Sequence, residues 1–486
     1  MYIIGVDIGT TNTKAVAFTD EGQVLADASC SYPVFSTTEG AHELDPGKLL
    51  QAVISVIRDV LSRTAGQPGL AGVSFSCAMH SLIVVNKEGQ PLTRAMTWAD
   101  QRSKVFAEAL KRSEAGARIY QHTGTAIHPM SPLCKLLWLK DQRPDIFDQA
   151  AKFISIKEYI WWNFFGVYEV DHSIASATGL FDIRAFAWYR ESLELAGVRE
   201  DQLSELVPCA HRRQNLSKAF QTGGLPEGLP FIIGGSDGAM ANLGSRAVAP
   251  GETALTIGTS GAIRMTTGVP DYDPAQRIFQ YALTKELYIC GGATNNGGAA
   301  LQWYVQTFGG GRSVEEMVPA AHVVAPGSDG LIFLPYLLGE RAPIWNADAR
   351  AVFFGITSRH GQGHFLRAVL EGISFSLYQV GASLEETIGP IKHIYASGGW
   401  TRSVEWLQMM ADIFNKEVYT TSSADASAIG ACIMGFYALG GIAGPEAGSA
   451  LIRIRDRFAP DAGRHAIYQQ NFGLYDKLYQ RLHDLM

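Results

Sequence analysis

Cysteine is scarce and unpatterned in this 486-residue chain: Cys30, Cys77, Cys134, Cys209, Cys290 and Cys432 show no CxxC spacing. That speaks against a zinc knuckle or a disulfide framework and fits a reducing, cytoplasmic compartment. An excess of positive charge is missing as well. Forty Lys and Arg stand against 47 Asp and Glu, a formal balance of −7, which disfavours a general nucleic-acid or anionic-membrane binder, because both need a basic surface. No basic segment precedes the first apolar run, which Asp7 interrupts, so no signal peptide is expected. The Walker A pattern G-x-x-x-x-G-K-[ST] is absent, and so is H-E-x-x-H; His360 and His364 lie four apart among glycines, a poor frame for zinc. Long hydrophobic runs are few. The exception, residues 426–445, is free of charge and as long as a membrane span, but Gly430, Gly435, Gly440 and Gly441 break it and no Lys/Arg cluster flanks it. A buried helix ending at the glycines is the better reading. With 47% hydrophobic and 18% charged residues, the chain has ample core for two to four domains, and small molecules are the expected partners.

The apolar runs at Tyr2–Val6, Lys14–Phe18 and Gln23–Ser31, with Glu21-Gly22 as a turn, predict hairpin-linked strands. Helical spacing over Pro46–Leu61 and a buried run over Leu70–Cys77 complete an α/β layer pattern. The opening motif then recurs. Val6-Asp7-Ile8-Gly9-Thr10-Thr11 can be laid over Leu255-Thr256-Ile257-Gly258-Thr259-Ser260, half a chain away, which predicts two similar domains facing each other, with chance similarity as the alternative. Helical and strand patterns at Gln362–Ile388, Ile391–Ser397, Ser403–Phe414 and Val418–Thr421 fit the second of them, and the Gly398-Gly399 strand end is a place where ligands bind.

Three segments could carry chemistry. In Asp7-Ile8-Gly9-Thr10-Thr11 the glycine admits an anion, the threonines donate to it, and Asp7 can hold a hydrated Mg²⁺; an ordinary polar turn is the alternative. Gly258-Thr259-Ser260-Gly261 repeats the donors with Thr256 in place of the carboxylate. Gly234-Gly235-Ser236-Asp237-Gly238, at a strand end, reads either as a nucleophile elbow built on Ser236, with His465 or His483 as its base, or as a site for Asp237 as a general base, or as a turn. Trp98-Ala99-Asp100-Gln101-Arg102 could grip a polyol or form a surface ion pair, and His80 could point into the same cleft or be a satisfied structural group.

Two longer segments carry a family resemblance. Met130-Ser131-Pro132-Leu133-Cys134-Lys135-Leu136-Leu137-Trp138-Leu139 resembles the first signature of the FGGY carbohydrate kinases, of the actin-like ATPase superfamily. Ala351-Val352-Phe353-Phe354-Gly355-Ile356, followed after seven residues by His364-Phe365-Leu366-Arg367-Ala368-Val369-Leu370-Glu371, resembles the second. The resemblance covers nearly the whole chain. It implies an α/β protein of two ribonuclease-H-like domains facing a central cleft: residues 1–244 for the sugar and first phosphate loop, residues 245–486 for the nucleotide. It also implies a kinase using ATP and Mg²⁺. Asp237 falls where the family keeps its catalytic base, which displaces the Ser236 reading. Asp7, beside the metal, and Thr10, Thr11 and Lys14 match the first phosphate loop, and Gly258 and Thr259 the second. Gly298 and Gln302 match residues near the nucleotide, and Gly399 with Ser403, where many relatives have Asn, matches the adenosine motif. Met79, His80, Trp98, Asp100 and Arg102 match sugar-binding segments.

Within the family, residues 123–132 and 257–264 look most like gluconokinases, whereas xylulokinases usually have glycine at the Ser81 position and Asn at the Gly238 position. The expected reaction is therefore phosphorylation of D-gluconate at its 6-hydroxyl, with Arg102 holding the substrate carboxylate and His80 or Arg341 as stand-ins for it. A kinase for xylulose or glycerol is the alternative. A serine hydrolase using Ser236 and a nucleotide-binding protein without transfer activity are more remote. Expected partners are a sugar acid and ATP, with no nucleic acid or membrane; a homodimer is left open.

Overall fold

The computed structural model describes residues 1–217, 220, 225, 228–422 and 425–486. Strands β1 (Tyr2–Ile8), β2 (Asn12–Thr19) and β3 (Val24–Ser31) form an antiparallel meander. Ile3, Ile4, Val6 and Ile8 of β1 are all fully buried, the near-continuous apolar run of a strand covered on both faces. Helix α1 (Pro46–Arg63) begins at Asp45, whose carboxylate accepts the N–H groups of Gly47 and Lys48, satisfying donors that a helix start leaves orphaned. Its stripe of Leu49, Val53, Val56, Ile57 and Val60 is buried in the core it shares with β1 and β2. β4 (Leu70–Cys77) then runs parallel to β1. A helical excursion follows, carrying α2 (Pro132–Gln142), before β5 (Arg212–Arg213) and β6 (Phe231–Ser236) complete the sheet in the order β5-β6-β4-β1-β2-β3.

The second sheet is built from β7 (Glu252–Ile257), β8 (Gly261–Thr267), β9 (Phe279–Ala282), β10 (Tyr288–Thr294), β11 (His393–Ser397), β12 (Val418–Thr421) and β13 (Ile454–Phe458), in the order β9-β10-β8-β7-β11-β12-β13. Without its edge strands it repeats the first. β12-β11-β7-β8-β10 matches β6-β4-β1-β2-β3 in order, and in each the central strand has antiparallel partners on one side and parallel ones on the other. Gly9 follows β1 as Gly258 follows β7, so the sequence repeat coincides with a structural one. Even a side-chain pair is shared: Ser76 on β4 donates to Asp7 at 2.7 Å, and Ser397 on β11 pairs with Thr256 at 2.8 Å.

The helices α3 (Asp237–Gly244), α4 (Gly298–Phe308), α5 (Gln362–Thr387), α6 (Val404–Phe414) and α7 (Ala426–Ala438) complete the part of the fold that positions the cleft. The charge-free stretch becomes α7, and its burial is unusual. Ala428, Ile429, Cys432 and Ile433 pack on Ile3, Val16 and Phe18, so a helix from the expected C-terminal domain covers a face of the N-terminal sheet. Among the described residues no helix is long and apolar enough to cross a membrane. α7 also crosses α3, which follows β6 as α7 follows β12. At that crossing Gly430 lies against the Met240 carbonyl and Gly244 against the Ala426 carbonyl, with no room for a Cβ at either position.

The crossing sets a stability prediction. Gly430→Ala would overlap backbone that cannot swing aside, and overpacking of this kind costs about 1–3 kcal/mol; the denaturant midpoint should fall with little change in slope. Gly473→Ala, on an open face of the C-terminal helix, should leave the midpoint unchanged or raise it, since alanine is the better helix former.

Candidate active site

The two glycine loops meet across the cleft. Thr10, after β1, and Ser260, after β7, line one cavity of about 260 Å³ together with Asp237, Arg264, Arg341 and Trp98. The segments come from the loops after β1 and β7, the start of α3, the middle of β8 and two further loops, so residues distant in sequence converge there. Asp237 occupies the first turn of α3, behind Ser236 as N-cap, and accepts the Gly238 N–H at 2.8 Å. A helix N-terminus favours a carboxylate, yet burial pushes the Asp237 pKa above the usual range, and the Arg264 guanidinium opposes that shift. Asp7 is raised as well, to about 6, by burial and then by the Asp237 carboxylate; the Ser76 hydrogen bond and Lys14 pull it back. Lys14 itself donates to Asp425 at 2.6 Å, tying the first loop to the start of α7.

The wall on the N-terminal side is held by a buried lysine. Lys135, on α2, donates to the carbonyl oxygens of His80 at 2.5 Å and Met130 at 2.8 Å, and burial lowers its pKa to about 7. His80 sits at φ 66°. Its Nδ1 lies 2.7 Å from the Ala177 carbonyl oxygen, which can only accept, so Nδ1 carries the proton and Nε2 accepts from the Tyr281 hydroxyl at 3.2 Å. Burial, followed by the charge of Lys135, lowers the His80 pKa to about 3. The ring is therefore neutral with both nitrogens occupied, which removes it as an anchor for an anion.

The structure separates other expected neighbours. Met79, His80 and Trp98 line the cavity, but Asp100 and Arg102 do not. Arg102 donates to Asp100 at 2.6 Å and to Glu43 at 2.5 Å, and lies over the Trp138 ring at 4.5 Å. Two carboxylates already bond its Nε and Nη2, so the structure holds Arg102 apart from the cavity in which it was expected to bind a substrate carboxylate. The cations that face the cavity are Arg264 and Arg341. Arg341 lies 4.6 Å over Trp98 and donates to Asn295 at 2.8 Å and to the Thr294 carbonyl at 3.0 Å; burial lowers its pKa to about 10. Arg264 lay in a segment that marked the family resemblance, but a lone arginine in the middle of β8 gave no signal that it would face Asp237.

A second cavity, of about 620 Å³, opens at the ends of β11 and β12 and is bounded by Gly399, Thr401, Arg402 and Asp456. Ser403 is not among its lining residues, because its hydroxyl caps α6 by accepting the Trp406 N–H at 3.2 Å. Gly298 donates its N–H to the Gly258 carbonyl at 2.7 Å, fastening the second loop to α4, while Thr11, Thr259 and Gln302 are exposed.

Residues 2–244 match the N-terminal domain of the FGGY family of carbohydrate kinases, and residues 253–439 match its C-terminal domain. The chain belongs to the FGGY family of carbohydrate kinases. It is 43% identical to a gluconokinase of Bacillus subtilis over 94% of this chain and 92% of that one. This FGGY kinase also superposes on solved structures of a gluconate kinase and a ligand-bound xylulose kinase, both from Lactobacillus acidophilus. Their TM-scores are 0.95 and 0.96 at 35% and 34% identity, each covering 99% of this chain and 98% of the other. Backbone shape therefore does not separate the two acceptors, and the difference has to lie in side chains. Kinase membership also leaves no place for the hydrolase reading, and the geometry agrees. Ser236 is fully buried, its hydroxyl accepts from Ser173 at 2.8 Å, and His465 and His483 bond instead to the backbone carbonyls of Asp412 and Gln480.

Ser236→Ala should accordingly keep most of the kinase activity, and a fluorophosphonate probe should leave Ser236 unlabelled in the intact protein, read by peptide mass spectrometry.

Proposed function

We propose that this FGGY kinase transfers the terminal phosphoryl group of ATP to the 6-hydroxyl of D-gluconate. The observation that carries the reading is the single cavity that joins both glycine loops, the Asp237 carboxylate and the Arg341 guanidinium. The gluconokinase relative supports the choice of acceptor.

In this reading Asp237 accepts the proton of the attacking hydroxyl. The raised pKa of Asp237 makes the carboxylate a better base than an exposed aspartate. Thr10, Thr11, Lys14 and Thr259 hold the phosphates, and Gly399 and its neighbours border the nucleotide, since a cavity of 620 Å³ is in the usual range for a cofactor site. A would-be Cβ at Gly258 or Gly399 meets no atom within 4 Å, so both loops are open to a ligand. Mg²⁺ fits the donor set at Asp7. That carboxylate is a hard oxygen ligand whose raised pKa, about 6, reflects burial without a full counter-charge. Among the described residues no cluster of three metal ligands exists, as befits an ion usually held by one or two carboxylates, water and phosphate oxygens. Bound there, it would neutralise charge developing on the phosphoryl group. Positioning by the chain does the rest, and the cleft walls exclude water that would otherwise compete as acceptor.

The gluconate carboxylate lies at the end opposite the reacting hydroxyl. Arg341 suits it. Of the two cavity arginines Arg264 bears more strongly on Asp237, which leaves Arg341 as the distal one, and Asn295, Thr294 and Trp98 already hold its side chain in place.

The direct test is a coupled ADP-release assay across gluconate, xylulose, glycerol, ribulose and fuculose. Gluconate should give the highest kcat/KM, and turnover of xylulose or glycerol without gluconate would overturn the reading. Asp237→Asn should lower turnover by about 10²–10⁴-fold while nucleotide still binds. Arg341→Met should lower kcat/KM for gluconate by roughly tenfold to more than a hundredfold, the worth of a charge-assisted hydrogen bond, and should affect any detectable neutral acceptor less; equal losses would remove Arg341 as the carboxylate anchor.

A further inference from the structure

Arg264 is the least satisfied cation in the cavity. Its side chain makes no hydrogen bond to any described residue, and its Nε is shut off from solvent without a partner. Such a donor is costly to bury, because its N–H has given up water for nothing in return. Burial pushes its pKa down and Asp237 only partly restores it. The guanidinium nevertheless lies where it does because the neighbouring position has no side chain. A Cβ added at Gly238 would come within 2.9 Å of Arg264 Nε and 3.4 Å of its Cζ, and within 2.9 Å of Met79 Cε. Gly238 is in a right-handed helix, so a turn does not require glycine there. What the missing side chain supplies is space.

We propose that Gly238 and Arg264 form one acceptor-recognition element: the bare position at 238 seats the Arg264 guanidinium beside Asp237, where its free N–H groups hold the oxygens of a polyhydroxy substrate next to the reacting hydroxyl. The proposal rests on the kinase site described above and adds a contact at the reacting end, distinct from the distal anchor at Arg341. A planar fork of donors suits vicinal oxygens, and a charged donor strengthens each bond. The field of Arg264 also favours the ionised form of Asp237, so one group orients the acceptor and supports the base. A larger residue at 238 would push the guanidinium out of this seat and put its own side chain against the substrate.

A double-mutant cycle tests this on kcat/KM, using whichever acceptor the wild-type enzyme turns over best, so that the result does not depend on gluconate being that acceptor. Arg264→Met should cost roughly tenfold to more than a hundredfold with ADP affinity unchanged, and Arg264→Lys should recover part of the loss. Gly238→Ala should cost a similar factor by displacing Arg264. In the Arg264→Met background the same alanine should cost no more than about threefold, because the group it displaces is gone. Additive losses, or an Arg264→Met enzyme with wild-type kcat/KM, would overturn the proposal. Should Gly238→Ala fail to fold, judged by ADP binding and thermal unfolding, the Arg264→Met and Arg264→Lys pair decides alone, since a merely structural arginine would change stability and nucleotide affinity rather than acceptor kcat/KM. A wild-type enzyme inactive on gluconate but active on another acceptor would sink the choice of substrate while leaving this cycle readable.

Discussion

The contact on which the cleft depends is the crossing of α3 and α7. These helices occupy equivalent places in the two halves, each leaving the last parallel strand of its sheet, and each brings a glycine against a carbonyl of the other. Helix axes can approach this closely only where side chains are absent from the seam. The approach fixes how far the ends of the two sheets lie apart, and with them the loops after β1 and β7. Asp237 begins one helix of the crossing, and Asp425, the partner of Lys14, immediately precedes the other. The geometry of the candidate site is therefore set by the same contact that joins the halves.

The site carries more unpaired charge than a folded core tolerates elsewhere. Asp7 and Asp237 repel one another, and the charge of Arg264 adds to the larger effect of burial in lowering the pKa of Arg341. Two buried ions away from the cavity are paired: Lys157 donates to Asp171 and to the Gly235 carbonyl, and Arg367 bonds to Glu371 and Tyr468. Leaving a cavity cation without hydrogen bonds costs stability. Strain of that kind is a mark of sites whose missing partners are ligands.

Much of this was legible in the chain, for reasons that differ by element. β1 and β4 could be read because strands buried on both faces are apolar throughout, and α1 because its stripe repeats at helical spacing. The Gly9 and Gly258 loops were visible as a repeat because both ends of a duplicated fold need the same backbone turn. Asp237 stood out through its strand-end glycines. Arg102 was expected at the cavity because sequence shows a charge but not its partner: Glu43, one of the two carboxylates that bond it, is remote in the chain. Arg264 was overlooked for the converse reason, since the signal lay in what residue 238 lacks. Ser403 read as a nucleotide contact, although a serine preceding a helix is at least as apt to cap it. α7 was recognised as a buried helix, but nothing local says which sheet it will cover.

That last feature bears on how the protein is made. The face formed by Ile3, Val16 and Phe18 has its cover in α7, which leaves the ribosome only after every strand of the second sheet except β13. Domains of most chains fold in the order of synthesis, but here the first sheet emerges with one apolar face bare and stays so until nearly nine-tenths of the polypeptide exists. The first half is thus a long-lived client for whatever shields nascent apolar surface, and the two halves cannot be separated at the boundary between their sheets without leaving that face exposed.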